Sequence, residues 1–136
     1  MAVMINDVSS DLEDPPTFLV SPPDRLEYNL ERLKKPVSDR YPTLKNQELP
    51  VSTAEGFALV RILVHDRGWQ VVAEDEAAHR IQAVATTPIL RFRDDVIIEV
   101  RPRSGGCTIA MRSKSRVGKS DLGANARRIR KFFEEL

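Results

Sequence analysis

The chain has little of what most catalytic and membrane proteins need. Among its 136 residues there is one cysteine, Cys107, and there are two histidines, His65 and His79. A single cysteine forms neither an intramolecular disulfide nor a cysteine-based zinc cage. Neither histidine has a neighbouring ligand at metal-binding spacing, so we expect no metal ion and no cofactor. Cys107 alternates with core residues, and we expect it to be a small buried hydrophobe rather than a nucleophile.

Long apolar runs are also missing. No stretch is long enough to cross a bilayer, and residues 1–5 are too short and lack the basic start of a secretory signal. As written, the sequence predicts a soluble, untargeted protein that is cytoplasmic by default.

Charge is abundant but nearly balanced, with a formal net charge of +1. Residues 1–67 are mildly acidic and residues 68–136 mildly basic, which is well short of a basic patch that binds duplex nucleic acid. Arg80, Arg101 and Arg112 fall at predicted solvent-facing strand positions and form a partial basic stripe. Exposed aromatic residues are not interleaved with them, so we expect no nucleic-acid partner.

Prolines concentrate in the first 50 residues, which predicts an extended N-terminal arm over residues 1–51. One short helix is predicted within it, at about residues 25–34, capped by Asp24 and ending before Pro36. Two roles remain open for the arm. It either packs on its own domain or serves as a tether that binds a partner.

A second region, residues 52–136, predicts an α+β core domain. Ser52 and Glu55 form a capping box for a helix over residues 53–67, and Gly68 ends it. The apolar period then changes from 3.6 to 2 in four runs, with a hairpin turn at Ser104-Gly105-Gly106. Because alternation buries one face only, the runs predict a four-stranded antiparallel meander with one wet face. Pro88 interrupts the pattern and suggests a bulge or an edge position.

The last predicted element is a helix capped by Ser120. Leu122, Ala126, Ile129 and Phe133 would share its buried face. The sequence therefore predicts a meander flanked by two helices on the same side, preceded by the proline-rich arm.

The densest polar segment, residues 112–125, lies where the fourth strand meets this helix. Free amides and the helix dipole would make it an attractive anion site. Gly118-Lys119-Ser120 resembles the end of a nucleotide-binding P-loop, but Ser113 stands where that loop needs glycine, which argues against nucleotide hydrolysis. A hairpin end followed by a helix cap is the structural alternative.

The paired carboxylates of the sequence do not predict a catalytic site either. Glu74-Asp75-Glu76 and Asp94-Asp95 are typical of solvated hairpin ends. A hydrolytic site would combine Ser113 or Ser115 with Asp94 or Asp121, and would need His65 or His79 within hydrogen-bond reach of one serine.

Three stretches resemble the bacterial "domain of unknown function 1499" family. They are residues 80–87, residues 92–96 and residues 112–125 continued by Arg128-Ile129, with weaker similarity at Asp14-Pro15-Pro16 with Phe18 and at Tyr41-Pro42. The positions that match the family pattern are Thr86, Thr87, Asp94, Asp95, Ser113, Ser115, Arg116, Gly118, Ser120, Asp121, Gly123, Asn125 and Arg128. The resemblance implies no assigned activity. It does imply an extracytoplasmic envelope setting as the alternative location.

Our leading hypothesis is a non-catalytic binding or interaction module that receives an unknown protein or an anionic ligand. The candidate binding residues are Ser113, Ser115, Arg116, Ser120, Asp121, Asn125 and Arg128. A buried Arg128–Asp121 or Arg116–Asp95 pair is the structural alternative for the same charges. Two further alternatives are a hydrolytic enzyme of unassigned class, and a module that holds an apolar ligand in an enclosed cavity between sheet and helices.

Overall fold

A computed structural model of the chain describes residues 4–21, 30–116 and 120–136. In chain order these residues form β1 (Asp7–Ser9), α1 (Leu30–Arg40), β2 (Gln47–Leu49), α2 (Thr53–Asp66), β3 (Gln70–Asp75), β4 (Arg80–Thr86), β5 (Arg93–Arg103), β6 (Gly106–Ser115) and α3 (Ala124–Glu134).

The strands form one antiparallel sheet in the order β1-β6-β5-β4-β3, and β2 also pairs with β6. The α+β class and the antiparallel meander are confirmed, but the predicted count of four strands is wrong, since six lie in the described part of the chain. The two additional strands come from the arm. Each has three residues, too few for alternation to reveal them, and both form on the free edge of the ten-residue β6.

The predicted start of the arm helix and its Asp24 cap fall on residues 24–29, which lie outside the described part of the chain. From Leu30 the helix continues through Pro36 to Arg40. The predicted end before Pro36 is wrong. Leu30, Leu33 and Val37 are buried on one face, and this packing outweighs the loss of one backbone hydrogen bond at the proline.

Helix α2 begins as predicted. The Ser52 hydroxyl accepts a hydrogen bond from the Glu55 amide at 3.1 Å, and Gly68 has φ +68° beyond the helix end. Gly56 lets α2 approach the sheet closely, because a Cβ there would lie 2.6 Å from Cys107 Sγ. Cys107 is buried as predicted, and burial raises the pKa of its thiol.

All three helices contribute to one apolar core on the same side of the sheet. The opposite face is not fully wet, because arm residues cross it. The buried Gln82 side chain accepts hydrogen bonds from the amides of Leu19 (2.8 Å) and Val20 (2.9 Å), and donates to the Val20 carbonyl at 2.8 Å. The arm therefore packs on its own domain. Within the described ranges, no helix is both long and apolar enough to cross a bilayer.

Candidate functional site

The adjacent carboxylates Asp94 and Asp95 organise the two faces of the sheet. Asp94 pairs in register with Ser115 and Asp95 with Lys114, so their side chains point to opposite faces. Their exposures are 2% and 1%. The prediction that they form a solvated hairpin end is wrong, because β5 begins at Arg93 and includes both.

On the helix face Asn125 is the centre of a buried group of polar residues, called here the Asn125 network. Its members are Asp94, Ser113, Ser115, Asp121, Asn125 and Arg128. The Asn125 carboxamide oxygen accepts from the Ser113 hydroxyl at 2.6 Å, and its nitrogen donates to Ser115 Oγ at 2.9 Å and to Asp121 Oδ2 at 2.8 Å. Both serines and Asn125 are buried. Because Asn125 lies at the start of α3 and the two serines lie in β6, these hydrogen bonds join the helix to the sheet.

Arg128 supplies the positive charge of the network. Its Nη1 lies 2.8 Å from Asp94 Oδ2 and 3.0 Å from both Ser113 Oγ and Asn125 Oδ1. Burial raises the pKa of Asp94, and the neighbouring Asp121 acts in the same direction. The Arg128 guanidinium and the Ser115 hydroxyl only partly oppose this rise.

Asp121, rather than the predicted Ser120, serves the start of α3. Its Oδ1 accepts from the Gly123 amide at 2.7 Å and its Oδ2 from the Asn125 amide at 3.3 Å. Gly123 has φ +84°, so the helix begins only at Ala124, and Ser120 is exposed. The protein's own carboxylate thus occupies the position that we expected an external anion to take. Gly118 and Lys119 of the P-loop-like run lie outside the described residues.

Arg116 lies on the opposite face from the network. Its Nε and Nη2 each donate to Asp95 at 2.9 Å, which forms a two-point ion pair. The structural alternative of an Arg116–Asp95 pair is therefore found, whereas Arg128 pairs with Asp94 instead of Asp121. Five of the seven predicted binding residues come together in the network. The sheet separates Arg116 from them. Ser120 is next to Asp121 in the chain but is exposed to solvent.

The predicted basic stripe also lies on the arm face, where its charges are paired. Arg112 contacts Asp7 at 2.7 Å, and Arg101 contacts Asp11 and Glu99 at 2.9 Å each. Arg80 lies 3.5 Å from Glu99 and donates to the Thr17 carbonyl. These pairs bind the arm to the sheet, so the stripe presents little free positive charge.

The geometry gives the hydrolytic alternative no support. Ser113 and Ser115 are bonded to Asn125, and His79 precedes β4 at its far end, roughly 20 Å from Ser115 at about 3.3 Å per residue. His65 is exposed on α2. In the described ranges, no three His, Cys, Asp or Glu residues are grouped so that they could hold a metal ion.

An open groove of about 1390 Å³ lies directly beside the network. Its walls are the β4–β5 loop (residues 87–92), α3 with the residues before it, and the end of α2 through Trp69. Four large apolar side chains on its rim are exposed: Ile89 at 94%, Leu122 at 84%, Leu90 at 69% and Met4 at 56%. Asp94, Ser115 and Arg128 reach its lining from below.

The sequence reasoning missed this groove. We expected Leu122 in the core of α3, which is wrong, because the helix starts two residues later. One signal was available: Ile89 and Leu90 follow Pro88 in a short apolar run between two strands, where a loop is usually polar. The groove also differs from the enclosed cavity of the apolar-ligand alternative, since it opens to solvent.

Two cations stand on the α3 wall of the groove. Arg127 and Lys131 are one helical turn apart and exposed, and neither forms an ion pair with any carboxylate of the described ranges. Arg127 Nη1 donates only to the Leu122 carbonyl, at 3.1 Å. The groove therefore combines an apolar rim with these two cations, and its wall also carries two exposed carboxylates, Asp66 and Glu134, that form no ion pair in the described residues.

Fold and site together define an α+β domain in which a six-stranded antiparallel sheet carries a buried arginine–carboxylate network beneath an amphipathic groove. The chain belongs to the family described as protein of unknown function (DUF1499), whose family model matches residues 7–136. Nearly the whole chain is covered, so the resemblance predicted from its polar motifs is confirmed. No curated protein matches the chain.

Proposed function

We propose that this domain is a non-catalytic binding module and that its groove receives an amphipathic anion. The apolar part of the ligand would lie against Leu90, Leu122 and Met4. Its anionic end would meet Arg127 and Lys131 on the α3 wall.

The observation that carries the proposal is the concentration of exposed apolar surface around one groove. The three most exposed large apolar side chains among the described residues, Ile89, Leu122 and Leu90, all line it. Such exposure costs free energy in water, about 25 cal/mol per Å² of apolar surface, which a bound apolar chain would recover.

The Asn125 network supports the groove without supplying its free binding groups. Its members satisfy one another, and they fix α3 relative to β5 and β6. A rigid floor of this kind reduces the entropy that a binding site loses when a ligand enters. The polar motif would then act as the scaffold, and the rim and the α3 cations as the ligand-contacting part.

The test uses Trp69, the only tryptophan, which lines the groove and stacks on Phe132 at 5.7 Å. Monomeric decyl phosphate is titrated while Trp69 fluorescence is followed, with decyl maltoside as the uncharged comparison. We expect saturable binding of decyl phosphate. Leu122→Ser should weaken it about tenfold, because burial of one leucine contributes at least about 1.5 kcal/mol. Arg127→Ala should weaken it about fivefold, as for the loss of about 1 kcal/mol from one charge contact.

Two matched control residues do not line the groove. Ile62→Ser removes an exposed apolar side chain from α2, and Arg32→Ala removes an exposed cation from α1. Both should leave the affinity unchanged, and Arg127→Ala should leave decyl maltoside binding unchanged. No Trp69 response to decyl phosphate, or equal losses in the controls, would contradict the proposal.

A further inference from the structure

The rim of the groove is built to hold apolar side chains outward. In the β4–β5 loop the Thr87 amide donates to the Phe92 carbonyl at 2.7 Å, and the Phe92 amide donates to Thr87 Oγ1 at 2.8 Å. These two bonds close the base of the loop. Ile89 and Leu90 therefore project from a braced turn into solvent.

Leu122 is held outward in a different way. Its φ is +53°, in the left-handed region that leucine rarely adopts, and its side chain is exposed. Both properties are unfavourable for a leucine in water, and strained backbone of this kind is enriched at functional sites. The strain at Leu122 is an observation independent of the loop, and it concerns the same rim.

Positive charge lies near this rim. Arg91 and Arg93 are exposed and flank Phe92, and neither forms an ion pair in the described residues. Arg93 is two residues from Asp95 in β5, so its side chain points to the arm face at the same end of the sheet. With Arg127 and Lys131 they make four such cations, against two exposed and unpaired carboxylates on the groove wall, Asp66 and Glu134. An extended anionic surface complements this excess.

We propose that this end of the domain docks on a bilayer that contains anionic lipids. Ile89, Leu90 and Leu122 would enter the boundary between headgroups and acyl chains, and the four cations would lie near lipid phosphates. A single chain in the groove would cover only one side of Ile89, which makes almost no contact with the protein, whereas a bilayer covers all of it. The inference deepens the proposed function, because the bilayer would supply the amphiphile.

The test is co-sedimentation of the full chain with phosphatidylcholine vesicles, with and without phosphatidylglycerol. We expect at least tenfold stronger partitioning to the anionic vesicles, weakened by added salt. Arg91→Ala with Arg93→Ala should reduce it at least tenfold, because each cation near an anionic surface contributes about fivefold. Ile89→Ser should also reduce it, since each buried methylene contributes about fourfold. Ile62→Ser and Arg32→Ala again serve as controls. Equal binding to both kinds of vesicle, or no loss in the loop variants, would overturn the inference.

Arg91 and Arg93 do not line the groove, which separates this inference from the proposed function. Their double variant should lose vesicle binding and keep its affinity for monomeric decyl phosphate. Decyl phosphate binding without vesicle binding would refute docking and leave the groove function standing. Vesicle binding without decyl phosphate binding would support docking and refute the groove function.

Discussion

Asp94 and Asp95 are neighbours in one strand, both buried and both paired with arginine, yet their surroundings differ. Asp94 faces the helices, where Arg128 also bonds to Ser113 and Asn125. Asp95 faces the arm, where Arg116 makes a two-point contact with it. The first pair belongs to a connected network that holds a helix. The second is one of several pairs along the face that the arm crosses.

This difference determines how much folding stability is lost when one charged residue is substituted. On the helix face, loss of one member leaves several buried polar groups without partners. On the arm face the pairs Arg112–Asp7, Arg101–Asp11 and Arg116–Asp95 are spread over separate residues. We therefore expect the loss of Arg128 to cost more than the loss of Arg116, because unmet buried groups each carry a desolvation penalty.

The largest expected effect is that of Arg128→Ala. It leaves the Asp94 carboxylate buried without its counter-ion and removes two further hydrogen bonds. Breaking a buried pair by removal of one partner costs about 3–5 kcal/mol, and we expect a loss in this range from the free energy of unfolding. Urea denaturation at neutral pH measures it. Arg127→Ala changes the adjacent, exposed arginine and should cost about 0.5 kcal/mol. Equal losses in the two variants would show that the network does not stabilise the fold.

A smaller effect is expected for Arg116→Ala. The arginine side chain is 21% exposed, so water can reach the Asp95 carboxylate once it is gone. We expect a loss of about 2 kcal/mol, between the values for exposed and buried pairs. The matched control is Arg93→Ala, since Arg93 is exposed, lies on the same strand end and has no ion pair among the described residues. A loss as large as that of Arg128→Ala would remove the proposed difference between the faces.

Much of the fold could be predicted because its main strands are long enough to show alternation. Residues 80–86 and 96–101 carry the period of 2 over most of their length, and α2 carries a capping box as well. Strands β1 and β2 could not be predicted, since three residues hold no period and their pairing depends on the edge of β6. The continuation of α1 through Pro36 likewise depends on tertiary burial of Val37.

The candidate site was only partly predictable. The motif position was found, but its division between two faces follows from β6 extending to Ser115, which places Ser113 and Ser115 on one side and Arg112 and Lys114 on the other. Polar strand residues gave no apolar alternation by which to detect that extension. The groove could not be predicted, because it depends on how the β4–β5 loop stands beside α3.

The smallest expected effect is a difference in pH dependence between the two faces. Burial raises the pKa of Asp94 above its ordinary value of 3.8. On the arm face burial also acts to raise the pKa of Asp11, but hydrogen bonds from the Asp14 amide, the Asn46 carboxamide and the Arg101 guanidinium outweigh it and lower that pKa. The two carboxyls should therefore change stability in opposite directions.

The direction of each change with pH depends on whether the folded or the unfolded state binds the carboxyl proton more tightly. For Asp94 the folded state does, so its contribution to stability is complete below pH 3.8 and is lost as pH rises through the raised pKa. For Asp11 the contribution is complete above pH 3.8 and is lost as pH falls through the lowered pKa. Urea unfolding between about pH 3 and pH 6 measures wild type against Asp94→Asn and Asp11→Asn. With rising pH, the wild-type advantage over Asp94→Asn should shrink, and the advantage over Asp11→Asn should grow. If both advantages changed in the same direction, the pKa values of Asp94 and Asp11 would be shifted in the same direction, which would contradict the proposed difference between the two faces.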